Sequence, residues 1–368
     1  MSTTNKINFI NQEKTTRSTT TSPTWSLQGR MLDGNKLTGN HNYLMVSWVN
    51  CTSPGNNDGA TKFAFEGGDD IEGSVQQRHD TNSAGMAVQH IGQFIAPSPP
   101  KDIGVYRRRV FDGGEVEGTD YGQCFAIDLD YVGASGGLIS GSHFASSTDH
   151  TTRTKIPGGT FHTHTQSASG GNHLIFAACK CYDSTDSVLV SLLVDDVLIA
   201  SGSKYVHDAY DVKTIVFGIS QDLASGSTIK FRNDDANVAT ANYTYIFTLN
   251  LDASPTTQAT GNLTSWTDYS SSGSWGSKTI NGNNDTSFVV GMGRQIATGV
   301  ESGRMAAISL KNNTTDEWLL FPNRPSGAFN SLYFPSTNPE ANRNQRETAV
   351  IVGVGSIGNN SEIEMVSL

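Results

Sequence analysis

The histidine motif whose spacing suits metal chemistry lies in the segment Gly158-Gly-Thr-Phe-His-Thr-His-Thr165. Because side chains alternate across a β-strand, His162 and His164 would point to the same side of a strand. Two imidazoles placed in this way supply half of a transition-metal site. The alternative is that both histidines are surface strand residues among hydroxyl neighbours, and the sequence favours this second interpretation.

Two known families carry a similar motif. A jelly-roll strand with His-x-His resembles the cupin family, but that family also requires a Glu shortly afterwards, and Thr165–Gly171 contains no carboxylate. The spacing also resembles the metal-binding His-x-His of trimeric phage fibres, in which three chains complete an octahedral site on a symmetry axis. His162 and His164 are therefore the candidate metal ligands, and no cofactor is predicted.

Paired carboxylates are further candidates, because glycoside hydrolysis needs two acids that face each other across a cleft. The pairs in this chain are Asp69 with Asp70, Asp128 with Asp130, Asp195 with Asp196, and Asp234 with Asp235. Asp128 and Asp130 would share one face of a strand, but a surface or turn position is expected for every pair. The sequence also contains no nucleophile elbow and no phosphate-binding glycine loop, so we expect no enzyme.

The basic residues concentrate in one run, Arg107, Arg108 and Arg109, on a short predicted strand. One interpretation is an exposed edge strand, whose charges prevent edge-to-edge association. The other is a docking contact for an acidic partner surface. The sequence favours the first interpretation and leaves the second open.

Aromatic side chains that could stack on sugars lie in the last third of the chain. Trp266 and Tyr269 precede a Ser/Gly-rich stretch that ends at Trp275. Aromatic residues in such a loop are candidates for carbohydrate or partner contact. They could also cover one end of their own domain, and this second interpretation is favoured.

The composition limits the class of protein. Of the 368 residues only 16% are charged, and the formal net charge is -10. Because nucleic-acid binding needs clustered Lys and Arg, no general affinity for nucleic acid is expected. No apolar run is long enough to span a bilayer, so we expect no membrane insertion. The N-terminus lacks the apolar core of a signal peptide, which predicts first folding in a cytoplasm with the four cysteines as thiols.

The elements that must position these residues repeat three times. The opening strands are Asn42–Trp48, Asn172–Ala178 and Thr286–Met292, with Leu44, Leu174 and Phe288 at equivalent places. A second apolar strand near the end of each block is Tyr121–Leu129, Asn242–Leu251 and Glu347–Val354. The equivalent residues are 130 and then 114 positions apart. This spacing is too long for a solenoid and suits three diverged copies of a small β-domain.

The predicted fold class is all-β, with three tandem antiparallel β-sandwich modules of jelly-roll type and an extended N-terminal arm. The arm covers residues 1–24, and the modules cover residues 25–133, 134–254 and 255–368. Short strands separated by Gly, Asn and Asp turns indicate such sandwiches. The arm is too polar to fold alone, so it is either a disordered tail or a segment ordered only against a partner.

The block Thr214–Arg232 resembles a recurring piece in virion proteins of tailed phages. The dipeptides Thr24-Trp25 and Ser265-Trp266, each before an opening strand, share this resemblance. In such proteins tandem jelly-roll modules form head fibres, decoration proteins or tail-associated fibres, often as trimers. The resemblance covers most of the chain in style, and no functional residue is carried across. It implies a structural virion component with an N-terminal attachment arm.

We therefore expect a non-enzymatic structural component of a phage virion, assembled in the host cytoplasm. Its predicted partners are other virion proteins of the capsid or tail, two further copies of itself in a homo-trimer, and a glycan on the host surface. The alternative is a carbohydrate-binding multi-module protein or a glycan-active enzyme, which the acidic loops with Trp and Tyr suggest.

Overall fold

The structure is a computed structural model, and it describes most of the chain. The described residues are 8–14, 16, 18–52, 57–80, 86–110, 117–131, 144–167, 170–182, 187–205, 212–220, 222–234, 238–251, 273–280, 285–297, 305–319, 330–333 and 345–367. Among them the only helix is a single 3-10 turn at Gly34–Lys36, and no helix is long and apolar enough to cross a membrane. The predicted all-β fold is confirmed.

Alternating apolar residues between Gly, Asn and Asp turns form the strands. In the first module these are β1 (Phe9–Lys14), β2 (Ser18–Thr20), β3 (Ser26–Leu32), β4 (Asn42–Thr52), β5 (Asn57–Phe65), β6 (Gln76–Asp80), β7 (Met86–Ile95), β8 (Ile103–Arg109) and β9 (Glu117–Asp128). In the second they are β10 (Phe144–Asp149), β11 (Arg153–Lys155), β12 (Thr160–Thr165), β13 (His173–Tyr182), β14 (Ser187–Val194), β15 (Val197–Tyr205), β16 (Val212–Ser220), β17 (Thr228–Asn233) and β18 (Ala239–Asn250). In the third they are β19 (Gly273–Ile280), β20 (Asp285–Ala297), β21 (Met305–Asn312), β22 (Glu317–Trp318), β23 (Asn330–Tyr333), β24 (Gln345–Ile357) and β25 (Ser361–Ser367).

The first two modules have identical strand topology. In the first, one sheet has the order β1-β9-β4-β7 with β2 also on β9, and the other has the order β3-β8-β5-β6. In the second, the orders are β10-β18-β13-β16 with β11 also on β18, and β12-β17-β14-β15. Adding nine to each strand number converts the first arrangement into the second. In each module a five-stranded and a four-stranded antiparallel sheet, connected in this way, form a jelly roll.

The third module keeps part of this topology. Its outer sheet has the order β19-β25-β21-β22, which corresponds to β3-β8-β5-β6. Strand β25 pairs with β19 and β21 just as β8 pairs with β3 and β5. Strand β24, immediately before it in the chain, therefore occupies the place of β7 and β16. The sequence pattern equated β24 with β9 and β18, and this equivalence is wrong, because apolar composition does not distinguish two neighbours of the same central strand.

The opening strands, in contrast, are equivalent as predicted. Leu44 in β4, Leu174 in β13 and Phe288 in β20 all belong to one hydrophobic cluster that is shared by the three modules. Each module also has a separate core between its own two sheets. The sheets that contain β4, β13 and β20 thus use one face for their own sandwich and the other for the common centre. The three sandwiches pack around this centre as one body.

Two segments of the predicted N-terminal arm, Phe9–Lys14 and Ser18–Thr20, form β1 and β2, the counterparts of β10 and β11 in the second module. Both strands pair with β9 of the same chain, at the edge of the first module's inner sheet. The sequence offered a disordered tail or a segment ordered only against a partner. In the structure the ordering partner of β1 and β2 is the chain's own β9, and residues 1–7 lie outside the described part.

Candidate functional site: the arm anchor, the arginine strand and the histidine motif

The arginine run lies in β8, which is an interior strand with β3 on one side and β5 on the other. The expectation of an exposed edge strand is therefore wrong. Arg107 points into the first sandwich, is 2% exposed, and its Nη1 donates to Thr61 Oγ1 at 3.2 Å. Alternation along the strand places Arg108 on the opposite, outer face. The three arginines are consequently divided between core and surface instead of forming one basic patch.

The outer face of β8 carries an aromatic and cationic cluster that the sequence analysis did not identify as a site. The guanidinium carbon of Arg108 and the Nζ atom of Lys62 each lie 4.8 Å from the ring centre of Trp25. Lys62 Nζ is also 5.6 Å from the ring centre of Tyr106 and forms an ion pair with Asp70 at 2.5 Å. Such cation–π contacts hold an aromatic ring in place. Trp25, the first residue after the predicted arm, is therefore anchored to the module.

The arm itself is fixed at its base by the last arginine of the run. The backbone N–H of Arg109 donates to Ser22 O at 2.9 Å. Further along the arm, Lys14 is only 2% exposed, and its Nζ donates to Thr119 O at 3.3 Å. Ser18 Oγ contacts Thr119 Oγ1 at 2.8 Å. Polar contacts thus secure the segment along β9 and β8.

The histidine motif lies in β12, at the edge of the second module's outer sheet. His162 and His164 are 5% and 8% exposed, so the surface position favoured from the sequence is wrong. They do share one side of the strand, as predicted, because Ser147 Oγ in β10 contacts both rings: His162 Nε2 at 2.8 Å and His164 Nδ1 at 3.0 Å. His162 Nδ1 lies 2.7 Å from Thr244 Oγ1 in β18. The motif therefore connects the two sheets of its own sandwich.

Burial lowers the pKa of both imidazoles, and for His162 the nearby Asp149 carboxylate opposes this shift. Both nitrogens of His162 are engaged by hydroxyls, while His164 Nε2 is buried with no hydrogen-bond partner among the residues that the structure describes. No group of three or more His, Cys, Asp or Glu that could hold a metal occurs in the described part of the chain. The side chains in hydrogen-bond contact with the two rings are the hydroxyls of Ser147 and Thr244, and a metal role for the pair stays a prediction.

Of the predicted carboxylates in the described part of the chain, only Asp128 is deeply buried, with 1% exposure, so its expected surface or turn position is wrong. It accepts hydrogen bonds from the Asp130 backbone N–H at 3.1 Å and from the Tyr43 hydroxyl at 3.3 Å. His41 Nδ1 lies 3.0 Å from both carboxylate oxygens. Asp130 accepts from the Asn42 backbone N–H at 2.7 Å. Asp128 therefore ties β9 to the turn before β4, which is a structural arrangement.

The remaining predicted sites have three different outcomes. Trp266 and Tyr269 lie outside the described residues. Trp275 was expected in a loop, but it lies within β19 at a register shift of the pairing with β25. The turn position predicted for Asp195 and Asp196 is confirmed, since both have positive φ angles, of 47° and 67°, between β14 and β15. The four cysteines are buried free thiols.

Comparison with known proteins gives no family assignment. No family model matches the sequence, and no curated protein matches it. Among solved structures, the tandem CBM22-1-CBM22-2 domains of Paenibacillus barcinonensis Xyn10C align with 67% of this chain and 98% of their own, at 11% identity and a TM-score of 0.23. The VP2 subviral particle of infectious bursal disease virus aligns over 100% of this chain and 81% of its own, at 10% identity and a TM-score of 0.21.

A third match is an archaeal virus protein described as having a triple jelly-roll fold and a turret assembly. It aligns over 98% of this chain and 88% of its own, at 8% identity and a TM-score of 0.18. The structures similar to this chain thus include both viral jelly-roll proteins and carbohydrate-binding modules. Because every one of these TM-scores is well below 0.5, the matches assign no activity, partner or location to the chain.

Proposed function

We propose that the protein is a non-enzymatic structural component of a tailed-phage virion, of the capsid-decoration, head-fibre or tail-associated fibre type. It attaches to the particle and presents its modules for contacts with neighbouring subunits or the host surface. The observation that carries this proposal is the common hydrophobic cluster that contains Leu44, Leu174 and Phe288. Three jelly rolls fixed around one core make a stiff body with large outer faces, which suits a scaffold.

The arm and its anchor support an attachment role. Strands β1 and β2 lie at the edge of a sheet. At the base of the arm, Ser22 O accepts a hydrogen bond from the backbone N–H of Arg109 in β8, and the Trp25 ring contacts Lys62 and Arg108. Edge strands are the elements through which β proteins add further chains. The partners that we propose are other virion proteins and further copies of this chain in a homo-trimer.

The proposal is tested on purified particles. We expect mass spectrometry of virions purified through a density gradient to find this protein at a fixed copy number relative to the main capsid protein. Sedimentation of the isolated chain should give the mass of a homo-trimer. A stable monomer in solution together with absence from purified particles would remove this function.

A second candidate, binding of a host glycan, is favoured by the outer face of the first module. Trp25 and Tyr106 are half-buried there, and the neighbouring Leu27 is 44% exposed. Aromatic rings on a sheet face can stack on sugars. A glycan array with the intact protein tests this candidate, with Trp25→Ala, Trp266→Ala and Trp275→Ala as variants. Binding that none of the three substitutions reduces would exclude the aromatic residues as the contact.

A further inference from the structure

The arm forms its backbone ladder with a single strand, β9, and its side chains also reach β3, where Ser18 Oγ donates to Gln28 O. In β1, the register runs from Phe9 opposite Ile127 to Lys14 opposite Gly122, and β2 continues along the same edge of β9. The ring centre of Phe9 is 5.3 Å from that of Phe125 in β9 and 5.7 Å from that of Phe288 in the third module. The arm thus lies on a surface that consists of the edge of β9 and the aromatic residues behind it.

Two anchors define a short connection between the arm and the rest of the chain. Ser22 is held by Arg109, and Trp25 is held by Lys62 and Arg108. Between them lie only Pro23 and Thr24, both exposed. Proline fixes φ and favours an extended backbone at the preceding residue, so this connection is short and extended. This dipeptide is therefore a suitable hinge for strand exchange.

We propose that residues 8–22 are an exchangeable arm, which pairs with β9 of its own chain in the isolated protein and with β9 of a second copy in the oligomer. Every contact outside the hinge is the same in both arrangements, so the two states differ little in free energy, and protein concentration decides between them. Because only two residues separate Ser22 from Trp25, the connection spans at most about 10 Å, and exchange brings the copies into contact at the hinge. Cyclic exchange among three copies closes a trimer. This inference deepens the homo-oligomer part of the proposed function, and it is tested without virus particles.

The chain provides a reporter of exchange, because Gln12 lies directly opposite Cys124 in the β1–β9 register. Directly opposed residues of an antiparallel pair share one face at a distance that a disulfide can span. One copy carries Gln12→Cys with Cys124→Ser, and the other copy is the wild-type chain with a mass tag. A disulfide between position 12 and Cys124 can then form only between two copies. The copies are refolded together with oxidised glutathione as oxidant, and the products are resolved on a non-reducing gel.

We expect a covalent heterodimer whose yield rises with protein concentration, with the linkage between position 12 and Cys124 identified by peptide mass spectrometry. The matched control is Asn11→Cys with Cys124→Ser, because Asn11 lies opposite Phe125 and on the other face. It should give no linkage to Cys124. Absence of the heterodimer at every concentration from refolded Gln12→Cys protein would overturn the exchange.

A second pair keeps the test decisive if the first variant does not fold. Ser18 lies opposite Thr119 in the β2–β9 register, so one copy carries Ser18→Cys and the other Thr119→Cys. Exchange predicts a disulfide between the copies, whereas an arm confined to its own chain predicts none. Presence of the protein in virions together with no linkage in either pair would contradict the exchange and leave the proposed virion role intact.

Discussion

Gln89 in β7 and Val350 in β24 belong to different modules, and the backbone N–H of Val350 donates to Gln89 Oε1 at 3.2 Å. The Nε2 atom of the same side chain donates to Thr348 O at 3.4 Å. One buried amide of the first module thus behaves as an additional strand partner for the third. This pair shows that the modules are joined by directional contacts as well as by the common hydrophobic cluster.

Replacing Gln89 by Leu should destabilise the protein by about 1–3 kcal/mol, because it removes the acceptor of a buried backbone N–H. The loss is read from the midpoint of urea unfolding. Gln93→Leu is the comparison, since Gln93 accepts one bond, at 2.6 Å, from the half-buried Ser146 hydroxyl, which can turn to solvent. Gln93→Leu should lower the free energy of unfolding by less than about 1 kcal/mol. Equal effects of the two substitutions would contradict the special role of Gln89.

The contact between the first two modules can be probed at Gly73, which has a φ of 67°. A Cβ atom at this position would lie 2.3 Å from the nearest ring atom of Tyr243. Gly73→Ala should therefore destabilise the protein by about 2–4 kcal/mol, from overpacking added to backbone strain. Gly67 has nearly the same φ, 62°, with no atom within 4 Å of its Cβ position, so Gly67→Ala isolates the strain. Thermal unfolding of both variants should show the larger loss for Gly73.

Phe288→Ala tests whether the common cluster makes the modules unfold together. Phe288 packs on Phe9 and Phe125 of the first module, with ring centres 5.7 Å and 5.1 Å away. We expect Phe288→Ala to lower the free energy of unfolding by about 2–4 kcal/mol. The wild type should unfold in one cooperative transition. Far-UV circular dichroism and tryptophan fluorescence should give coincident curves. Ile95→Ala, at a side chain that is 66% exposed, should change stability by less than about 0.5 kcal/mol.

Asp128→Asn should lower the free energy of unfolding by about 1–3 kcal/mol, because an NH2 group replaces one of the buried oxygens that accept several hydrogen bonds. Asp130→Asn is the matched control, since Asp130 is exposed and accepts the one bond from Asn42. Chemical unfolding at neutral pH measures both. If a glycan-degrading activity were found and Asp128→Asn abolished it in a fully folded protein, the structural role given to Asp128 would be wrong.

Acid should weaken the second module through the histidine motif. Burial lowers the pKa of His162 and His164 in the folded chain, so the unfolded chain binds protons first as the pH falls. The stability contributed by the neutral rings is complete above the unfolded pKa, about 6.5, and is lost as the pH falls from there through the folded values. His164→Gln should reduce this pH dependence, measured by urea unfolding between pH 7.5 and 5. An unchanged slope would show that other groups cause it.

The sequence alone determined the all-β class and the equivalence of Leu44, Leu174 and Phe288, because strand periodicity and turn residues are local properties. It also placed His162 and His164 on one side of a strand, since alternation is fixed by the backbone. It could not decide whether that side faced solvent or core, because the motif is polar in either case.

Only the tertiary structure decided which strands are neighbours. Strand order placed β24 beside β20 as the counterpart of β7, made β8 an interior strand, and buried Arg107 while leaving Arg108 on Trp25. It also paired the polar arm with β9. These outcomes depend on contacts between residues that are far apart in the chain, and hydrophobic pattern carries no information on which distant strand completes a pair.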